Sequence, residues 1–173
     1  VDGRQGPWMQ VEGQRALMLV GSNYLDLAGD ERVVQAAAEA TQRYGCAAGG
    51  SRLINGNLEI HEALERELAA FAGFEAALLY STGYMANLGL ITALAGPEDV
   101  VVSDSLNHAS IIDACRLSQA QTRVFRHNDP EDFERVARTL GSFRQRILVA
   151  DGVYSMDGDV ARLRELVPIA RRH

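Results

Sequence analysis

From residue 76 onward the chain repeats one unit, a short apolar run followed by a longer amphipathic stretch. Residues 76–80, 100–102, 122–125 and 147–150 are brief runs bounded by turn residues and read as strands. Residues 85–95, 109–119, 131–140 and 160–172 carry apolar side chains at helical spacing. Strands this apolar are buried on both faces, and strands separated by helices run parallel. The expected class is therefore α/β, a mostly parallel sheet with helices on both faces. Sheets of this kind bind ligands beyond the carboxyl ends of their strands. The residues directly after each strand are thus where chemistry is expected.

Residues 1–29 are organised differently. Two apolar stretches, 8–11 and 16–20, are separated by Gln10-Val11-Glu12-Gly13-Gln14, the pattern of a small hairpin. Asp30 is placed to cap a helix marked by Val33, Val34, Ala37 and Ala40 and ended by Gly45. A glycine-rich loop, 45–56, leads to a helix marked by Ile60, Leu64, Leu68 and Phe71, which Gly73 closes. The chain divides on this reading into an arm with the first helix, 1–45, and the first part of a larger sheet domain, 46–173. Its last helix falls where the alternation calls for another strand, so a sheet domain cut short is expected.

The bulk numbers exclude several functions. Of 173 residues 47% are apolar, enough for a core, and the net charge of −6 repels nucleic acid and anionic lipid. No apolar run approaches the roughly 20 residues that span a bilayer, and residues 1–7 lack the apolar core of a signal peptide. Cys46 and Cys115 have no metal-ligand spacing, which implies two reduced thiols, no metal and a cytoplasmic location. All 17 basic side chains are arginines, so the chain contains no lysine.

Four stretches are candidates for a site. Ser81-Thr82-Gly83-Tyr84 joins a strand to a helix, where free N–H groups and the helix dipole suit a phosphate. It is neither a P-loop nor a dinucleotide fingerprint, and an ordinary capped helix start remains the competing reading. His108 follows the next strand, with Asn107 or Ser105 placed to cap the helix behind it. Its imidazole is suited to stacking or proton transfer. The loop 151–159 presents Ser155, while Asp157, Gly158 and Asp159 read as a turn and the cap of the last helix. It lacks the downstream glutamate of a calcium loop. Gly49-Gly50-Ser51-Arg52 either presents an arginine to a carboxylate or is only a flexible connection. His61, His127 and His173 read as structural or solvated.

In order, the motifs G-S-R-L-x-x-G-N, S-T-G-Y-x-A-N, N-H-A-S-I-I-D-A and D-G-V-Y-S-M-D-G-D strongly resemble those of the α-oxoamine synthases, from about Gly21 onward. The resemblance implies a fold-type-I, aspartate-aminotransferase-like large domain and a homodimer with sites at the subunit interface. It implies a pyridoxal 5′-phosphate-dependent acyltransferase that condenses an amino acid with an acyl-CoA or acyl-carrier thioester, losing carbon dioxide. It assigns the phosphate cradle to Gly83 and Tyr84 beside Thr82, ring stacking to His108, and a place beside the cofactor to Ser155. Asn23 would contact substrate, although Gly21-Ser22-Asn23-Tyr24-Leu25-Asp26 departs from the family's S-N-D-Y-L-G signature. The family's D-E-A-H-G motif and Schiff-base lysine have no counterpart in these residues and are expected beyond His173. Two alternatives stand beside this one: an inert half-fold serving as a binding or scaffold protein, and a related fold-type-I aminotransferase.

Overall fold

The first elements are a hairpin. Strand β1 (Trp8–Val11) pairs antiparallel with β2 (Gln14–Leu17). Glu12 and Gly13 between them both have positive φ, 51° and 78°, the signature of a two-residue turn whose twist matches the strands. A 3₁₀ turn (Leu27–Gly29) precedes α1 (Glu31–Tyr44). Asp30 caps α1 as expected, its carboxylate accepting from the Arg32 N–H. Helix α2 (Glu59–Ala72) ends on Gly73, whose φ of 74° is the left-handed conformation that closes a helix without a Cβ penalty. Arg43 and Tyr44 both reach Glu59, tying the end of α1 to the start of α2.

The structure, a computed structural model, describes residue 1 and residues 3–173. They form two compact units, Val1–Ala77 and Leu78–His173. Glu59, which joins α1 to α2, lies within the first of these.

The second unit holds α3 (Gly83–Leu94), β3 (Val100–Asp104), α4 (Ala109–Leu117), β4 (Gln121–Phe125), α5 (Pro130–Arg138), β5 (Arg146–Val149) and α6 (Leu163–Arg172). The three strands form one parallel sheet in the order β4-β3-β5, with Val100 beside both Gln121 and Arg146. Central β3 is buried throughout. Its side chains alternate between faces. Val100 and Val102 pack with Phe125, Phe133, Val136 and Leu166 against α5 and α6. Val101 packs with Ile91, Ile111 and Ala114 against α3 and α4. Helices thus cover both faces, and each such side chain contributes about 1.5–3 kcal/mol through burial.

Two expectations are corrected. Residues 76–80 belong to neither sheet. Leu78 is exposed, so this run lacks the two-sided cover that β3 has. The last helix starts at Leu163, not residue 160, because an antiparallel bridge between Val153 and Val160 folds the preceding loop back on itself. Within that loop the Gly158 N–H donates to the Tyr154 carbonyl, and the Tyr154 N–H donates to the Asp159 carbonyl. Gly158 sits at φ 75°, which confirms the expected turn. Asp159, however, caps nothing, since its carboxylate is engaged by His127 and Asn128. Among the described residues, no helix is long and apolar enough to cross a membrane.

Candidate functional site

A cleft of about 840 Å³ opens beyond the carboxyl ends of the strands. Gly83, Tyr84, Asn107, His108, Asp151 and Ser155 are among its walls, and every lining residue belongs to the second unit.

One wall is the start of α3. Thr82 is its N-cap, with Oγ1 accepting from the Met85 N–H at 3.1 Å. Gly83 and Tyr84 follow as the first two helical residues, whose N–H groups have no acceptor within the helix. A Cβ built on Gly83 would meet nothing within 4 Å, so the space before this positive helix end is open. Tyr84 donates its hydroxyl to Asp113, and that hydrogen bond pushes the phenol pKa upward and keeps the proton in place. Its ring meets His108 edge-on, at 6.4 Å between centroids.

The second wall is the turn from β3 to α4. His108 is itself the N-cap of α4, a role expected of Asn107 or Ser105. Its Nδ1 accepts from the Ser110 N–H at 3.2 Å and lies 2.7 Å from Ser110 Oγ. Asn87 on α3 donates to the same oxygen at 2.8 Å, which directs the hydroxyl proton toward Nδ1. An Nδ1 that accepts in this way leaves the ring proton on Nε2 and fixes the plane of the imidazole. His108 remains exposed to the cleft.

Asn107 is buried and turned across the sheet instead. Its Nδ2 donates to the Val149 carbonyl at 2.8 Å and to Ser103 Oγ at 2.9 Å, while Oδ1 accepts from the Asp151 N–H at 2.8 Å. Removing this amide would orphan buried polar groups at a cost of about 1–3 kcal/mol each. The third wall is the loop after β5, where Ser155 is exposed above the buried ring of Tyr154.

The structure therefore brings Gly83, Tyr84, His108 and Ser155 to one cleft, with Thr82 capping the helix behind the first two. Asn23 and Arg52 lie in the first unit. Asn23 Oδ1 accepts from the Ala28 N–H, and its Nδ2 donates to the Gln5 carbonyl and to Asp26. Arg52 is held by Glu65 on α2 and by Asn57. Its loop is consequently a fixed one. The supporting residues Asn87, Ser110, Asp113 and Asp151 were not singled out from the sequence. Asp151 alone carried a signal, as the first polar residue after an apolar strand.

Chemically, the cleft offers amide donors at a helix start for an anion, a fixed flat ring beside them, and a hydroxyl at the rim. Residues 15–173 match the family model "Aminotransferase class I and II". The chain is 44% identical over all 173 residues to 8-amino-7-oxononanoate synthase 2 of Bacillus subtilis (strain 168), covering 44% of that protein. It superposes on the serine palmitoyltransferase of Sphingomonas wittichii with a TM-score of 0.93 at 38% identity, over 96% of this chain and 42% of that one. The figures are the same for the S. paucimobilis serine palmitoyltransferase solved with a bound PLP–myriocin aldimine. The chain thus spans less than half the length of the relatives it matches. On the extent of the family match, the chain belongs to the class I and II aminotransferase family.

Proposed function

We propose that this chain forms the cofactor side of a pyridoxal 5′-phosphate-dependent acyltransferase of the α-oxoamine synthase kind. Such an enzyme joins an amino acid to an acyl thioester, with loss of carbon dioxide, to give an α-amino ketone. One observation carries the reading: a single cleft joins the open N-terminus of α3, the oriented ring of His108 and the hydroxyl of Ser155. These suit a phosphate, a pyridine ring and that ring's polar substituents. The names of the relatives point the same way.

When bound, the cofactor supplies an electron sink for negative charge at the amino-acid Cα. The chain's own residues bind and orient. The Gly83 and Tyr84 amides hold the phosphate in the field of the helix dipole. His108 presents a face whose tilt is set by Ser110 and Asn87. Ser155 donates or accepts at the rim. Asn23 and Arg52 are proposed to bind the amino-acid substrate, Arg52 by pairing with its carboxylate in exchange for Glu65. A homodimeric, cytoplasmic enzyme belongs to the same proposal.

The test is to load the full-length protein with pyridoxal 5′-phosphate and supply amino acids with acyl-CoA thioesters. Free CoA thiol should appear in step with carbon dioxide, and sedimentation should give a dimer. Formation of a 2-oxo acid without thiol release would replace this reading with that of an aminotransferase.

A further inference from the structure

Beneath the Ser155 loop lies a polar cluster that the proposed chemistry does not use. His127, in the turn after β4, places Nδ1 2.9 Å from Asp104 Oδ1 and Nε2 3.0 Å from Asp159 Oδ2. Asp104 ends β3 and is buried, whereas Asp159 belongs to the loop that carries Ser155. Both neighbours of the ring are carboxylate oxygens, which only accept. Both bonds therefore exist together only when both ring nitrogens carry protons. The Tyr154 ring packs edge-on against the same imidazole at 4.4 Å. Asn128 adds two bonds to the loop, from Nδ2 to Asp159 Oδ2 at 2.8 Å and to the Val160 carbonyl at 3.0 Å.

Side-chain atoms near the far end of the loop are less well satisfied than its backbone. Asp159 Oδ1 is buried without a hydrogen-bond partner, and the buried Tyr154 hydroxyl has only Asp104 to face. Buried polar atoms left in this state oppose the conformation that holds them. Asp151 anchors the start of the loop, and the bonds of His127 and Asn128 tie its far end to the turn after β4.

We infer that His127 is a positioning residue, an imidazolium clasp that ties the Ser155 loop to the end of β3 while doubly protonated and lets it loosen when it loses a proton. The titratable groups facing His127 are Asp104 from β3, and Asp159 and Tyr154 from the loop. Arg126 and Asp129, in its own turn, pair with each other, and Arg162 at the start of α6 pairs with Glu165. Each of these two arginines thus has a carboxylate partner of its own. Asp104 foremost, and Asp159 behind it, raise the His127 pKa above its ordinary 6.5. The clasp is accordingly closed below this raised pKa and opens as pH climbs through it.

The consequence for the cleft rests on the cofactor reading above; the clasp itself does not. The test is carried out on the full-length protein between pH 6 and 10. It follows the His127 ring by NMR, amide-exchange protection of residues 153–159 corrected for intrinsic pH dependence, and pyridoxal 5′-phosphate affinity. In the wild type, protection should fall roughly 10- to 100-fold, the size expected for one charged hydrogen bond, with the midpoint at which the ring titrates. Affinity should weaken across the same midpoint. His127→Ala should lower the protection to the wild type's high-pH level at every pH and leave a flat profile. Asp159→Asn, which needs only one ring proton to keep its contact, should move the midpoint to lower pH while retaining protection. Loop protection that stays constant while the ring titrates would overturn the clasp, as would an unshifted midpoint in Asp159→Asn. A protein that never binds the cofactor but shows the coupled midpoint would overturn the cofactor reading alone.

Discussion

The backbone N–H of His108 donates to Oδ2 of Asp151 at 2.7 Å, so the cap of α4 is anchored to the loop after β5, 43 residues away. The Asp151 N–H answers with a bond to Asn107 Oδ1. Asp151→Ala breaks the first of these and frees the imidazole's backbone. Unfolding free energy should fall by about 1.5–3 kcal/mol, the range of a hydrogen bond to a charged acceptor. Cofactor affinity should weaken several-fold in an absorbance titration. An unchanged affinity would separate Asp151 from the placement of His108.

His108 has two duties that substitution can separate. As N-cap its Nδ1 holds the Ser110 N–H, and as a ring it faces the cleft. Asparagine caps as well as any residue but offers no ring, so His108→Asn should keep α4 intact. His108→Ala should cost about 0.5–2 kcal/mol more in stability than His108→Asn. Both should lose cofactor retention to the same degree, as read by dialysis and absorbance. Full retention in the asparagine variant would dismiss stacking.

Gly83 has empty space where a side chain would project. Gly83→Val should therefore fold with a thermal midpoint close to wild type, since valine and glycine differ by only a few tenths of a kcal/mol in helix propensity. Phosphate access should nonetheless be blocked, and titration should show little binding of pyridoxal 5′-phosphate. Normal binding would place the anion site elsewhere.

Acid stability has a defined flank. Asp99 is held below its ordinary 3.8 by the Arg144 guanidinium, and Asp132 by the Arg126 N–H and by Arg135. Burial pushes Asp104 upward, but the Asn128 and Leu106 amides and His127 outweigh it, so it also lies low. Groups depressed in the folded state stabilise fully above 3.8 and cease to do so as pH falls through their native values. Urea midpoints should hold down to about pH 4 and fall steeply below it, less steeply in Asp99→Asn. A midpoint unchanged from pH 5 to pH 2 would contradict these pairings.

Much of the architecture was legible because burial dictates periodicity. Val100 to Val102 must be a strand covered on both sides, and Asp30, Gly45 and Gly73 mark helix ends by backbone chemistry. The carboxyl ends of strands then singled out Gly83, His108 and Ser155. Residues 76–80 misled for a physical reason: their composition suits a buried strand, but Leu78 is exposed and the run joins neither sheet. The bonds of Asn107, Asp151 and His127 were invisible because their partners lie 23 to 44 residues away in sequence. Only the assembled sheet determines such pairings. Arg52 was ambiguous because a glycine-rich stretch reads as pliant until Glu65 is seen to hold it.

The placement of β3 between β4 and β5 also orders assembly in time. During synthesis β3 and β4 can pair once residue 125 has left the ribosome, whereas Val149 and Asp151 emerge only after a further helix has been made. Loop closure favours the nearer pairing first. A nascent chain at that stage has its first strand pair, but Asn107 still lacks Val149 and Asp151, and the amide of His108 lacks its acceptor. The ligand-facing turn is thus secured later than the pairing of β3 with β4, and an emerging chain carries the α3–α4 side of its core before it carries a site.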